Sequence, residues 1–490
     1  MTRRQVLALG AVGVGAVAVG GTALVVANLG SEAPEGTDQG ASDDATSSPA
    51  GATGWHEPEV IESVDGVLDL DLELAPADVV LGGTSVRMLA YNGTVPGPTL
   101  HLRPGDLLRV RLRNGLDEPT NLHTHGLVVS AAENSDNPFV HIAPGDTFDY
   151  EIALPDDHPV GVCWYHPHHH GMVTDQLFAG LYGAIVVDDE DWAEVAPRIV
   201  VVSDTTIADG AVATVSRAER MLGRTGETLL TNGGVAPELA APPGEDQRLL
   251  IVNACASRYL DLRFDGLGAR LRGLDSGHLA ESPADRLVLA PGNRADMVVT
   301  VPDSATAVTA VGYDRGGMGM GMMSGASTVA PDAVVLTVVP DAAAPAPSVA
   351  DATPESHPDL RDAAIDGTRA LTMEMSAGAG AGGMRFLIDG REFAPGRVDQ
   401  QVRIGTVEEW TIENTSPMDH PFHLHIWPMQ VVREGGGEVP GLDLRDVVDV
   451  PAGGAVTVRI AFDRFPGRTV YHCHILDHED LGMMGVIEAG

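Results

Sequence analysis

At 490 residues the chain exceeds what one hydrophobic core supports, and 58 Gly and 33 Pro among short alternating apolar runs indicate an all-β, turn-rich protein of two to four domains. Its formal net charge is -39, and every one of its 30 basic residues is arginine. Such acidity argues against nucleic acid or an anionic membrane surface as a partner, since both would repel it, and suits a solvated surface outside the cytoplasm or a cationic substrate.

The first feature along the chain is a targeting segment. Thr2-Arg3-Arg4-Gln5-Val6-Leu7 leads into a Gly/Ala/Val-rich apolar run that ends near Leu29. A charged start before an apolar stretch is an export signal, and the paired arginines resemble the twin-arginine kind. Val25-Val26-Ala27 offers a small-residue cleavage site, yet the run is also long enough to span a bilayer. Residues 1–29 are therefore expected to be an export signal or an anchor, giving an extracellular or cell-surface protein that an anchor would tether to the membrane. Residues 30–54, rich in Ser, Ala, Gly and Asp, read as a flexible linker.

Three weak repeats follow. Each has a tight turn (Tyr91-Asn92-Gly93, Thr231-Asn232-Gly233, Ile388-Asp389-Gly390) and then a second turn before a strand ending in Asn114, Asn253 or Asn414. Each closes with a Pro/Gly turn feeding a period-2 strand: Ala143-Pro144-Gly145, Ala290-Pro291-Gly292 and Pro451-Ala452-Gly453. Repeated turn signals between alternating strands predict one β-sandwich built three times, over 55–192, 193–350 and 365–490. The Ala/Pro/Asp-rich stretch from Pro340 to Pro358 leads to the third unit, with a linker over 351–364. Cys163, Cys255 and Cys473 are too few and odd in number for a disulfide framework. Cys163 and Cys255 read as buried small apolar residues, with a bridge between them left open.

Ten of the 18 histidines fall in four tight groups. Two lie in the first unit, His123-Thr124-His125 and His166-Pro167-His168. Two lie in the third, His420-Pro421-Phe422-His423-Leu424-His425 and His472-Cys473-His474-Ile475-Leu476-Asp477-His478. On a strand, residues i and i+2 share a face, so each pair projects two imidazoles the same way. Several such pairs at one domain interface would leave many buried rings without partners unless they held metal. Imidazole alone suits Zn, Cu, Fe and Ni; two His, one Cys thiolate and a Met, supplied by His420, Cys473, His478 and Met483, select copper.

These four groups, in this order and with the intervening Cys, resemble the copper-binding motifs of the multicopper oxidases, and the resemblance spans all three units. It implies three consecutive cupredoxin-like β-sandwich domains and four copper ions. His420, Cys473 and His478 would hold a type 1 copper with Met483 axial. His123 and His423 would hold type 2, and His125, His166, His168, His425, His472 and His474 the type 3 pair. His169 and His170 extend one run but are not expected as ligands. The implied activity is one-electron oxidation of a small reductant, a phenol, an aromatic amine or Cu(I), coupled to reduction of dioxygen to water. A copper nitrite reductase would need no type 3 pair, and a copper-less structural relative would need no ligands at all. On the strand through His472-Cys473-His474 the two His point one way and the Cys the other, so the sites it joins lie on the order of 10–15 Å apart.

Glu479, beside His478, matches a family acid that relays protons, and Asp136 is a second candidate. Met318, Met320, Met322 and Met323 sit in a Gly-Met run from Gly316 to Met323, and Met418 lies two residues before His420. Soft thioethers bind Cu(I), which makes these five residues candidates for receiving it. Met373 and Met375 alternate as core residues would.

Overall fold

A computed structural model describes residues 54–188, 197–275, 277–317, 329–345, 349, 357–377 and 383–490. The expected export segment, nearly all of the linker after it, and Met318, Met320, Met322 and Met323 lie outside the described residues. The described residues form six sheets in three face-to-face pairs, each pair closing on its own apolar core. Among the described residues no helix is long and apolar enough to cross a membrane.

In the first sandwich the strand Val67–Leu81 lies between Thr84–Tyr91 and Leu107–Asn114, with Thr147–Ala153 at the edge. Leu68, Leu70, Leu72 and Leu74 point inward while the intervening Asp and Glu face solvent, the alternation that period-2 patterning demands. The facing sheet carries His123–His125 at its edge, paired antiparallel with Gly161–His166. The second sandwich uses strands between Arg198 and Pro340, and the third uses strands between Gly367 and Ala489.

The sandwiches are less separate than linear boundaries suggest. Val67–Leu81 and Thr84–Tyr91 form a ribbon that runs past its own core, leaving Val79, Leu81, Val86 and Met88 to be covered. Ile207, Val212, Leu230 and Val235 cover them, and Ala211 adds a parallel pairing to Arg87. At the other end Gly54 pairs with Glu238, and Trp55 packs on the core of the second sandwich. The described part of the segment 351–364 is docked as well: Leu360–Asp362 forms a 3-10 turn capped by Asp359, and Arg459 Nη1 donates to Leu360 O at 2.8 Å. Cys163, Cys255 and Cys473 are all free and buried, so the first two form no bridge.

Candidate metal centre

The histidine-bearing strands of the first and third sandwiches face one another. Across each local sheet His123 pairs with His166, and His423 pairs with His472. Cross-strand partners share a face, so each sandwich presents several rings to the other. The two sets interleave: His123 stacks on His425 and His125 on His423, both with centroids 3.9 Å apart.

The donor atoms gather into distinct sets. His125, His166 and His474 form one, His168, His425 and His472 a second, and His123 and His423 join with His125 in a third. In the second, His472 Nε2 lies 3.1 Å from His168 Nε2 and 3.2 Å from His425 Nε2. A separate set holds Cys473 Sγ 3.3 Å from His420 Nδ1 and 3.9 Å from His478 Nδ1, with the two nitrogens 3.3 Å apart. Cys473 thus belongs to a set apart from its neighbours, as alternation at the end of the strand Gly467–Cys473 requires, while His472 and His474, the latter just past that strand, divide between the other two sets.

Hydrogen bonding on the far side of each ring tests whether these sets fit a metal. His123 Nδ1 bonds the Asp136 carboxylate at 3.0 Å, His166 Nδ1 the Pro167 carbonyl at 2.8 Å, and His423 Nδ1 the Asp446 carbonyl at 2.8 Å. Each leaves a buried Nε2 without a protein partner. His125 is the reverse, with Nε2 3.0 Å from Asp446 Oδ1 and Nδ1 left without a partner. Buried nitrogens orphaned in this way are costly in an apolar interior, and converging on shared points they fit metal ions. The mixed set of imidazoles with one thiol fits copper.

Electrostatics agrees. Burial pushes all ten imidazoles below their usual pKa, His166 to about 4 and His420 and His423 to about 3, with neighbouring rings or Arg315 adding to the shift in most of them. The rings are therefore held neutral, with lone pairs free. Burial raises the Cys473 thiol, which a metal ion would deprotonate on binding.

The two acids differ in placement. Asp136 is buried, bonds His123, and also accepts the Thr124 N–H at 2.9 Å; burial lifts its carboxyl to about 7 against that hydrogen bond. Glu479 is fully enclosed, with Oε2 3.1 Å from His472 Nδ1 and Oε1 3.5 Å from His168 Nε2. His472 Nδ1 pairs with the Cys473 carbonyl at 3.1 Å, and both Glu479 oxygens lack a hydrogen bond. Burial, with the charge of Asp480 adding, holds this acid well above the usual carboxylate range.

Met483 and Met484 are told apart by register. Met484 pairs with His472 and lines a cavity of about 280 Å³ with His168, His169 and His170. Met483 lies opposite Cys473, whose N–H donates to Met483 O at 3.0 Å, and both belong to one core. Met418 is fully buried, and Gly316, where the Gly-Met run starts, bridges to it. His169 bonds His141 at 2.8 Å and His170 lies against Phe393, so neither joins a donor set. Met373 is core and Met375 packs on it. Asp446, within reach of two of the rings, carried no sequence signal: Leu444-Arg445-Asp446 reads as an ordinary polar turn.

Two multicopper oxidase family models match the chain, one over residues 76–191 and the other over residues 362–490. Multicopper oxidase mco of Staphylococcus aureus is 27% identical over 425 residues, covering 83% of this chain and 85% of its own. A copper resistance protein A homolog of Pseudomonas syringae pv. tomato is 25% identical, covering 85% of this chain and 91% of its own. Among solved structures, a Campylobacter jejuni multicopper oxidase described as a metallo-oxidase superposes with a TM-score of 0.78 at 27% identity, over 89% of this chain and 95% of its own. With family matches at both ends, where the histidines are, and relatives that cover 83–89% of this chain, this chain belongs to the multicopper oxidase family.

Proposed function

We propose that the chain holds four copper ions and couples oxidation of a small reductant to four-electron reduction of dioxygen to water. The type 1 ion would bind His420, Cys473 and His478, with Met483 as a further, weaker donor. The type 2 ion would bind His123 and His423. The type 3 pair would bind His125, His166 and His474 on one side and His168, His425 and His472 on the other. The observation that carries this reading is the interleaving of rings from the first and third sandwiches into buried donor sets, with Cys473 in a set apart.

Copper, when bound, supplies the one-electron steps and the affinity for dioxygen. The protein supplies the rest. His472 and His474 flank Cys473 in the chain, so a short covalent path joins the type 1 set to both type 3 sets. Asp136 accepts the His123 Nδ1–H and keeps Nε2 available. Glu479 holds a proton beside His168 and His472, where oxygen reduction consumes them.

Register supports Met483 as that weaker donor. A thioether donates some charge and stabilises Cu(II), so Met483→Leu should raise the type 1 potential measured by redox titration. Met484→Leu should leave it unchanged, and the opposite result would reverse the register.

The reductant is a phenol, an aromatic amine or Cu(I). Cu(I) gains support from the bridge that ties Gly316, at the start of the Gly-Met run, to Met418 beside His420, and from the acidic charge. Replacing Met318, Met320, Met322 and Met323 with Ser should lower Cu(I) turnover clearly more than phenol turnover on the same preparation. Equal losses, or none, would remove Cu(I) as the favoured reductant.

A further inference from the structure

We infer that the second sandwich, which adds no donor to any of the sets above, completes the type 3 site through Arg294, a positioning residue that holds the Asp446 carboxylate against His125 and thereby decides which nitrogen of that ring faces copper. The inference rests on the proposed copper reading.

Arg294 opens the strand Arg294–Thr300 and is fully buried where all three sandwiches meet. Its guanidinium grips Asp446 of the third sandwich as a fork, Nη1 to Oδ1 and Nη2 to Oδ2, both at 2.6 Å. Its Nε donates to Val162 O of the first sandwich at 3.0 Å, and its backbone N–H donates to Asp275 Oδ1 at 2.9 Å. The Asp446 Oδ1 that receives Nη1 also lies 3.0 Å from His125 Nε2. One carboxylate therefore joins a ring of the first sandwich to a guanidinium of the second.

The consequence is a choice of tautomer. A neutral imidazole carries one proton, and the nitrogen that donates it cannot bind metal. At His123, His166 and His423 the outward acceptor lies at Nδ1, leaving Nε2 to face inward. At His125 the acceptor lies at Nε2, so Nδ1 is the free donor. This reversal depends on the buried Asp446 side chain being held against His125, and the forked guanidinium holds it there and pairs its charge.

The turn that delivers Arg294 is shaped to the same site. Gly292 has φ +89°, and a Cβ there would come within 2.9 Å of His474 Nε2. Gly126, directly after His125, has φ +94°, and a Cβ there would collide with the Arg294 guanidinium. Two glycines thus permit the second sandwich to close against His125 and His474, two of the three rings in one type 3 set.

The test uses the full chain, copper-loaded and copper-stripped. Arg294→Met, of similar length without the fork, should lose most of the non-blue copper and keep the blue colour, because His420, Cys473 and His478 are untouched. Arg294→Lys should fall between, having charge but no fork. Asp446→Asn keeps the shape and the packing of the turn, yet its uncharged amide sets an NH2 donor against the Arg294 Nη2 donor where Oδ2 accepted, breaking the fork, so it should lose the same copper even if Arg294→Met does not fold. A role limited to packing would lower the melting temperatures of stripped and loaded protein equally. The inference requires instead that the rise in melting temperature on copper loading shrink in these variants. Full non-blue copper with an undiminished rise in Asp446→Asn would overturn it. Wild-type protein lacking blue colour would overturn the copper reading itself, whereas a blue Arg294→Met with its full copper would overturn only the role of Arg294.

Discussion

Cys473→Ser is expected to abolish the blue colour and the oxidase activity together while leaving most of the non-blue copper bound. The thiol is fully buried, 3.3 Å from His420 Nδ1 and 3.9 Å from His478 Nδ1, and no other sulfur with an ionisable proton lies in that set. A serine oxygen is a hard, weakly ionised donor that neither suits Cu(I) nor gives thiolate charge transfer. The rings of His472 and His474 are held in other donor sets, so the neighbouring copper loses no ligand. The backbone is also retained, since Cys473 N–H donates to Met483 O whatever the side chain. Burying a hydroxyl there costs about 1–3 kcal/mol, too little to unfold a three-sandwich protein. Absorption spectra and copper analysis on the same sample check the outcome. Colourless wild-type protein with full copper would falsify the assignment of this set.

Glu479→Gln should lower steady-state turnover by about 10²-fold or more, the range for loss of a positioned proton donor, with blue colour and copper content unchanged. The side chain is fully enclosed 3.1 Å from His472 Nδ1, so it is no surface carboxylate. Burial holds its pKa well above the ordinary value, which keeps it protonated through the mildly acidic range. The sign follows. Wild-type turnover should decline as pH rises through that elevated pKa, because the acid form is lost, and the Gln variant should lack this alkaline limb. Reduction of the blue site by substrate should be unaffected, while its reoxidation by dioxygen slows. Unchanged reoxidation, or an unaltered pH profile, would leave Glu479 with a packing role only.

Neither result depends on the details of substrate access, and both concern residues whose identity is visible in a short stretch of chain. That reflects what local patterning encodes. His-Xaa-His on a strand states that two rings share a face, and His472-Cys473-His474 states that a thiol faces away from both, whatever the rest of the fold does. The three turn-and-strand repeats likewise announce three sandwiches, because turn chemistry and period-2 burial are properties of a few consecutive residues.

Relations between distant segments are another matter. Nothing in the chain before folding says that Met483 and not Met484 lies opposite Cys473; antiparallel register decides it, and a shift of one residue would exchange them. Strands after the first sandwich cover its projecting ribbon because apolar side chains there would otherwise meet water. Which ring from the first sandwich meets which from the third was also decided only by docking. His168 joins His425 and His472 across some 300 residues, while His125 and His166 join His474. Asp446 and Arg294 lie furthest from legibility: neither has a motif, and each acquires its role only where three sandwiches meet and a buried charge must find its counterpart. The sequence by itself determined the metal and most of its candidate ligands, since ligand type and strand periodicity are local. The tertiary structure decided how the rings are shared, which nitrogen each offers and what holds it there, because those depend on contacts between segments far apart in the chain.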